Sequence, residues 1–334
     1  MPHHPTSTNR RDFLRFLGAA GLSWSLWGGM GCSSAPAVDL RKFQGIFPIV
    51  QTPYTNDNKI AFGELEKEVK FLDKTGVHGI VWPQRASEYQ FLTFDERIEG
   101  AELIVKANKG LSPAVVIGVQ GPDTETAVKY ARHAEKLQPD AIIALPTRDA
   151  GEFDLDEVFE YYKAIGKVCG LPMFVQTTGN MSVEFVLKMA REIPTLLFVK
   201  DEAGNSISRI KEFNADGEGR VTVFTGGHGR NLPDEMSLGL AGNMPASGWV
   251  DLYVKVWNFW KEGKVNEALD MFSKAMLFVT QAGVYGFPLL NYALHLRGVF
   301  TNWSVRRPEA KPLDEDAMKE IRRVHDFVKP HFVV

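Results

Sequence analysis

From Phe43 onward, short apolar runs alternate with longer amphipathic stretches, and this alternation restricts the chain more than any other feature. The runs cover 45–52, 79–82, 114–119, 141–145, 173–177, 196–200, 221–225 and 243–248. Between them, 62–75, 94–108, 124–137, 155–168, 183–192 and 207–214 carry apolar residues at three- and four-residue spacing, the repeat of a helix with one buried face. Asp123, Asp154 and Ser182 stand where N-caps belong. Strand followed by helix, eight times, predicts a parallel sheet closed on itself, an α/β (β/α)8 barrel over 38–250. The eighth run contains Pro245 and few β-formers, so its place in the count is what assigns it. After it, 251–262, 265–281, 287–297 and 314–329 read as helices, predicting a C-terminal helical extension over 251–334 packed on the barrel.

A single barrel of this kind takes about 250 residues, so 334 residues leave room for the extension and give no sign of a second domain. The net charge of −3 gives no reason to expect nucleic acid or an anionic membrane as partner. The two cysteines, Cys32 and Cys169, lack the spacing of a metal site, and neither a metal nor a cofactor is implied. Cys169 reads as a small buried apolar residue.

The first 37 residues stand apart. Arg10-Arg11-Asp12-Phe13-Leu14 before a weakly apolar, glycine- and serine-containing run resembles a twin-arginine export signal. Cys32 at the end of that run is a candidate lipidation point, with peptidase cleavage near Ala35 or Ala37 as the alternative. The expectation is an exported protein, periplasmic or lipid-anchored.

Barrel chemistry gathers at the carboxyl ends of the strands. Those ends offer Gln51 and Thr52, then Arg85, Ser87 and Glu88, then Gln120, Arg148, and Gln176 with Thr177; Lys200 and Glu202 follow the sixth run, Gly227 and His228 the seventh, Ser247 the eighth. Alternation along a strand puts Leu196, Phe198, Lys200 and Glu202 on one face. A lysine pointing into a barrel is costly to keep charged, and a neutral amine attacks a carbonyl to form an imine. A lysine paired with a barrel carboxylate, without covalent chemistry, accounts for the same pattern. Arg85 and Arg148 suit a small-molecule carboxylate, and both also suit surface ion pairs. The loop Gly226-Gly227-His228-Gly229 lets backbone approach a ligand.

The sequence resembles the dihydrodipicolinate synthase / N-acetylneuraminate lyase family of class I aldolases and lyases. The resemblance runs through Gly45-Ile46-Phe47-Pro48-Ile49-Val50-Gln51-Thr52-Pro53, Leu92-Thr93-Phe94-Asp95-Glu96-Arg97, Ala127-Val128-Lys129-Tyr130-Ala131 and Phe198-Val199-Lys200-Asp201-Glu202. It implies a homo-oligomeric barrel, dimer or tetramer, with Lys200 as the imine-forming residue. Three departures stand out. Gln84-Arg85-Ala86-Ser87-Glu88 replaces a Gly-Thr-Thr-Gly-Glu type stretch and keeps only its Glu. Gln176 stands where the family has a proton-relaying tyrosine, and a glutamine does not titrate. Pro146-Thr147-Arg148 replaces a tyrosine-containing stretch used across a subunit contact.

The reading is therefore a Schiff-base lyase, aldolase or hydro-lyase acting on a small 2-keto acid or sugar acid. Lys200, Glu202 and His228 are the candidate catalytic residues. Thr52, Arg85, Ser87, Glu88, Arg148, Gln176, Gly227 and Ser247 are the candidate binding residues. The alternatives are an exported small-acid binding protein on an aldolase scaffold and a carboxylate-based hydrolase.

Overall fold

The eight runs do form one parallel sheet, in a computed structural model that describes residues 39–147, 151–216 and 219–334. The strands are β1 Gly45–Ile46, β2 Gly79–Trp82, β3 Ala114–Gly118, β4 Ala141–Ala144, β5 Met173–Gln176, β6 Leu196–Asp201, β7 Thr222–Thr225 and β8 Gly242–Asn243. The helices that follow them in turn are α1 Phe62–Thr75, α2 Phe94–Ala107, α3 Thr124–Leu137, α4 Leu155–Val168, α5 Val183–Glu192, α6 Ser206–Asp216, α7 Leu232–Ser237 and α8 Val250–Lys261. Asp123, Asp154 and Ser182 cap α3, α4 and α5 by accepting backbone N–H groups of the first turn.

The first and last runs contract to two-residue pairings, Gly45 with Gly242 and Ile46 with Asn243. Pro48 and Pro245 each remove a donor that a continued ladder needs. The ring still closes onto β2. His78 N donates to Ile46 O at 3.0 Å, Val81 N to Pro48 O at 3.0 Å and Val50 N to Val81 O at 2.9 Å. Ile49 bridges Val81 on one side and Ala246 on the other.

The bore is filled, as packed barrels require. Phe43, Phe47, Phe174, Phe198 and Phe224 form an aromatic layer, with Phe174 and Phe198 stacked at 4.4 Å and Phe43 4.6 Å from Phe198. One expectation fails here: Leu196 does not share a face with Phe198. Met173 pairs with Leu196 but Phe174 pairs with Phe198, so Leu197 is an extra residue in the ladder. Leu196 therefore belongs to the outer core, whereas Phe198 and the residues after it keep the inward alternation.

Three more helices follow: α9 Val265–Tyr285, α10 Phe287–Leu296 and α11 Glu315–Val328, with α9 packed against α8, α10 and α11. Cys169 is buried and free, and burial pushes its thiol up to about 12, as expected of an inert packing residue. The export signal and Cys32 lie outside the described residues.

Candidate active site

Lys200 stands one inward position above Phe198 on β6, about 6.6 Å up the strand, and pairs with Gln176 on one side and Phe224 on the other. The aromatic layer beneath it excludes water, and Lys200 is only 5% exposed. Its ammonium nitrogen lies 3.3 Å from Glu202 Oε2. That oxygen also accepts a hydrogen bond from Gln176 Nε2, and Gly227 N donates to Glu202 Oε1 at 2.9 Å. Burial works to raise the Glu202 carboxyl. The Lys200 charge, the Gly227 N–H and the Arg85 guanidinium outweigh it, leaving Glu202 below the usual carboxylate range. Glu202 is nonetheless open to the cavity, with 27% of its side chain accessible.

The loop after β7 makes this arrangement sterically feasible. A Cβ on Gly226 would fall 2.0 Å from Glu202 Oε1 and 2.9 Å from Lys200 Cε, so any larger residue there displaces these two side chains. Gly227, His228 and Gly229 then take left-handed backbone in succession, at φ +58°, +56° and +66°. The turn aims the Gly227 N–H at Glu202, and the His228 carbonyl accepts from the Tyr253 hydroxyl. A left-handed histidine is uncommon and requires support of this kind. Burial lowers the His228 imidazole below its ordinary value, favouring the neutral ring.

These groups line a cavity of 260 Å³ together with Gln84, Arg85 and the apolar side chains of Ile49 and Met244. Its roof comes from the extension: Ala282, Phe287 and Leu290. Arg307 stacks 3.9 Å over the Phe287 ring. The roof had no sequence signal, because its residues follow the last strand by about forty positions and lie on ordinary amphipathic helices. Gln84 was findable, since it stands two residues after β2. It donates to Gln120 Oε1 at 3.2 Å.

Of the residues expected at the site, Lys200, Glu202, His228, Arg85, Gln176 and Gly227 meet at this cavity. Four others do not line it. Thr52 donates to Ser87 O at 2.6 Å and accepts from Trp82 Nε1 at 3.2 Å. The Ser87 hydroxyl donates to Val50 O at 2.6 Å and accepts from Gln84 N at 3.1 Å. Both hydroxyls thus lock the loop after β2 instead of facing a ligand. Glu88 accepts the N–H groups of Arg306 and Arg307 at 3.1 and 2.9 Å, and burial raises its carboxyl. It ties the C-terminal segment to the barrel. Ser247 donates to Glu68 Oε1 at 2.7 Å, inside the wall. Arg148 lies outside the described residues.

Tyr162 is the tyrosine on α4 that reaches the ends of β4 and β5. Its hydroxyl donates to Ala144 O at 2.9 Å, so it is already engaged outside the bore.

Residues 42–326 match the profile of the Dihydrodipicolinate synthetase family. The 4-hydroxy-tetrahydrodipicolinate synthase of Methanosphaerula palustris is 26% identical over 83% of this chain and 96% of that protein. The L-2-keto-3-deoxyarabonate dehydratase of Azospirillum brasilense is 23% identical over 83% of this chain and 87% of its own length. Among solved structures, a prophage protein of the dihydrodipicolinic acid synthase family from E. coli K12, in complex with pyruvate, superposes with a TM-score of 0.78. It is 20% identical, over 86% of this chain and 99% of that one, and so reports on the fold.

Proposed function

We propose that this chain, which belongs to the dihydrodipicolinate synthetase family, is a lyase or hydro-lyase that holds a small 2-keto acid or sugar acid as an imine on Lys200. The observation that carries this reading is the single buried lysine of the cavity, set on an aromatic floor with a carboxylate 3.3 Å from its nitrogen. In the proposed sequence Glu202 accepts a proton from the Lys200 ammonium, and the neutral amine adds to the substrate's C2 carbonyl. Glu202 returns that proton to the adduct's hydroxyl, which leaves as water and gives the protonated imine. Transfer of a C3 proton to Glu202 then forms an enamine, which expels hydroxide from C4 in a dehydration. In an aldol cleavage the C3–C4 bond breaks instead, as the C4 hydroxyl proton leaves. Gln176 cannot carry a proton and acts here by holding Glu202. His228, kept neutral by burial, is the second proton carrier of the cavity.

Borohydride reduction with pyruvate and a panel of 2-keto and sugar acids, followed by peptide mass spectrometry, tests this. An adduct on the Lys200 peptide, lost in Lys200→Ala, is expected. Gln176 at the relay position favours one alternative, a small-acid binding protein without turnover. Acids that bind, form no adduct and are recovered unchanged would establish that alternative and refute the lyase.

We further propose that residues 1–37 direct export through Arg10 and Arg11, that the mature part begins near Val38 or is lipidated at Cys32, and that the barrel with its extension assembles as a homo-oligomer. Replacing both arginines by lysine should leave the protein in the cytoplasmic fraction.

A further inference from the structure

A second cavity, of 360 Å³, adjoins the first between the loops after β6 and β7. The two share Arg85, Gln176, Glu202 and Gly227. Its far side is polar, with Ser206, Arg230 and Asn231. Three short contacts connect Arg230 to the lysine: Arg230 Nε donates to Gly227 O at 3.1 Å, Gly227 N donates to Glu202 Oε1 at 2.9 Å, and Glu202 Oε2 is 3.3 Å from Lys200 Nζ.

The acids around this chamber are already matched. Asp201 is gripped by Arg209 through Nε and Nη2, at 2.7 Å each, and by the Thr177 hydroxyl at 2.7 Å. Glu235 accepts from the Thr225 hydroxyl at 2.7 Å, and burial raises its carboxyl towards the neutral form. Glu202 is paired with Lys200. Among the described residues the Arg230 guanidinium engages a backbone carbonyl through Nε alone, which leaves its outer edge suited to an anion. At the junction, Gln176 is only 2% exposed, and its Oε1 has no hydrogen-bond partner among the described residues. A buried acceptor of this kind is costly to leave without a donor.

We infer that the second chamber receives the far end of the substrate and that this end carries a second carboxylate, recognised by Arg230; the substrate class is a dicarboxylic 2-keto acid. The inference deepens the imine reading and rests on it for the position of the keto group. The chamber itself is tested by binding, separately from the chemistry.

The probes are 2-oxoadipate and 2-oxohexanoate, which share chain length and keto-acid head and differ only in the terminal carboxylate. Titration calorimetry on the full chain should give about tenfold tighter binding for 2-oxoadipate, the range of one charged hydrogen-bonded contact. Arg230→Gln should erase that preference, and Arg230→Lys should retain part of it. Equal binding of the two acids to the native protein, or a preference that survives Arg230→Gln, overturns the inference. Borohydride trapping with the same acids reads the imine independently. Discrimination in binding without trapping leaves the second chamber standing and removes the lyase; trapping without discrimination does the reverse.

Discussion

Glu68 → Gln should stabilise this protein, and increasingly so as pH rises. Glu68 lies on α1, fully buried, where its Oε1 accepts from Gln51 N at 3.0 Å and from the Ser247 hydroxyl at 2.7 Å. Among the described residues no cation faces it, and its Oε2 has no partner. Burial pushes its carboxyl up to about 8 from an ordinary 4.5, against the two hydrogen bonds. The folded protein therefore keeps a proton that the unfolded chain releases above 4.5, and stability falls as pH rises from there until the folded group ionises near 8. One unit is worth about 1.4 kcal/mol, so the penalty is about 1 kcal/mol at pH 5 and about 3 kcal/mol at pH 7. Glutamine copies the protonated acid: its carbonyl accepts the same two bonds and its amide occupies the Oε2 position. For a barrel of this size about 1 kcal/mol moves Tm by roughly 2 °C. The variant should thus melt about 2 °C higher at pH 5 and about 6 °C higher at pH 7, with the gain levelling off above pH 8. Thermal unfolding of both proteins at one scan rate from pH 4.5 to 9 reads this directly. A gain that does not change with pH, or a variant less stable at pH 7, refutes the assignment of a buried, proton-retaining Glu68.

Three other expectations follow from the geometry. Gly226→Ala forces a Cβ onto Glu202 Oε1 and Lys200 Cε; it should cost about 1–3 kcal/mol and sharply reduce Lys200 trapping, whereas unchanged trapping would mean that Glu202 position is immaterial. Gln176→Leu removes a donor to the ionised Glu202, so the Glu202 carboxyl should rise and the acid limb of the trapping rate should move to higher pH; a shift to lower pH contradicts the proposed holding role. Arg209→Ala strips the buried Asp201 of its cation and should destabilise the fold by about 3–5 kcal/mol, with Arg209→Ala/Asp201→Asn recovering part of the loss in denaturant melts.

Much of this architecture was legible in the sequence because it is locally encoded. Apolar periodicity marked α1 to α6 but not the short α7, and the capping side chains Asp123, Asp154 and Ser182 marked where α3, α4 and α5 begin. Lys200 was legible because it ends an apolar strand. The bulge at Leu197 was not, since a two-residue alternation carries no mark of an extra residue until the neighbouring strand is known. Glu68 was equally hidden: in Gly63-Glu64-Leu65-Glu66-Lys67-Glu68 it reads as one of several solvent-facing acids, and its partners Gln51 and Ser247 meet it only in the folded barrel. That Thr52, Ser87 and Glu88 stand outside the cavity lining was hidden for a related reason. Their partners are backbone groups on other elements, and for Glu88 those partners lie 218 and 219 residues away. The roof of the cavity is likewise a product of tertiary packing alone.

That roof gives the site a schedule. A ribosome releases the aromatic floor, the lysine and its carboxylate long before it releases Phe287 and Leu290, and the Arg307 that backs Phe287 comes later still. The covered chamber exists only once nearly the whole chain has been made. Completion of the cavity is thus coupled to completion of the polypeptide, and a chain interrupted before α10 carries Lys200 and Glu202 without the residues that cover them.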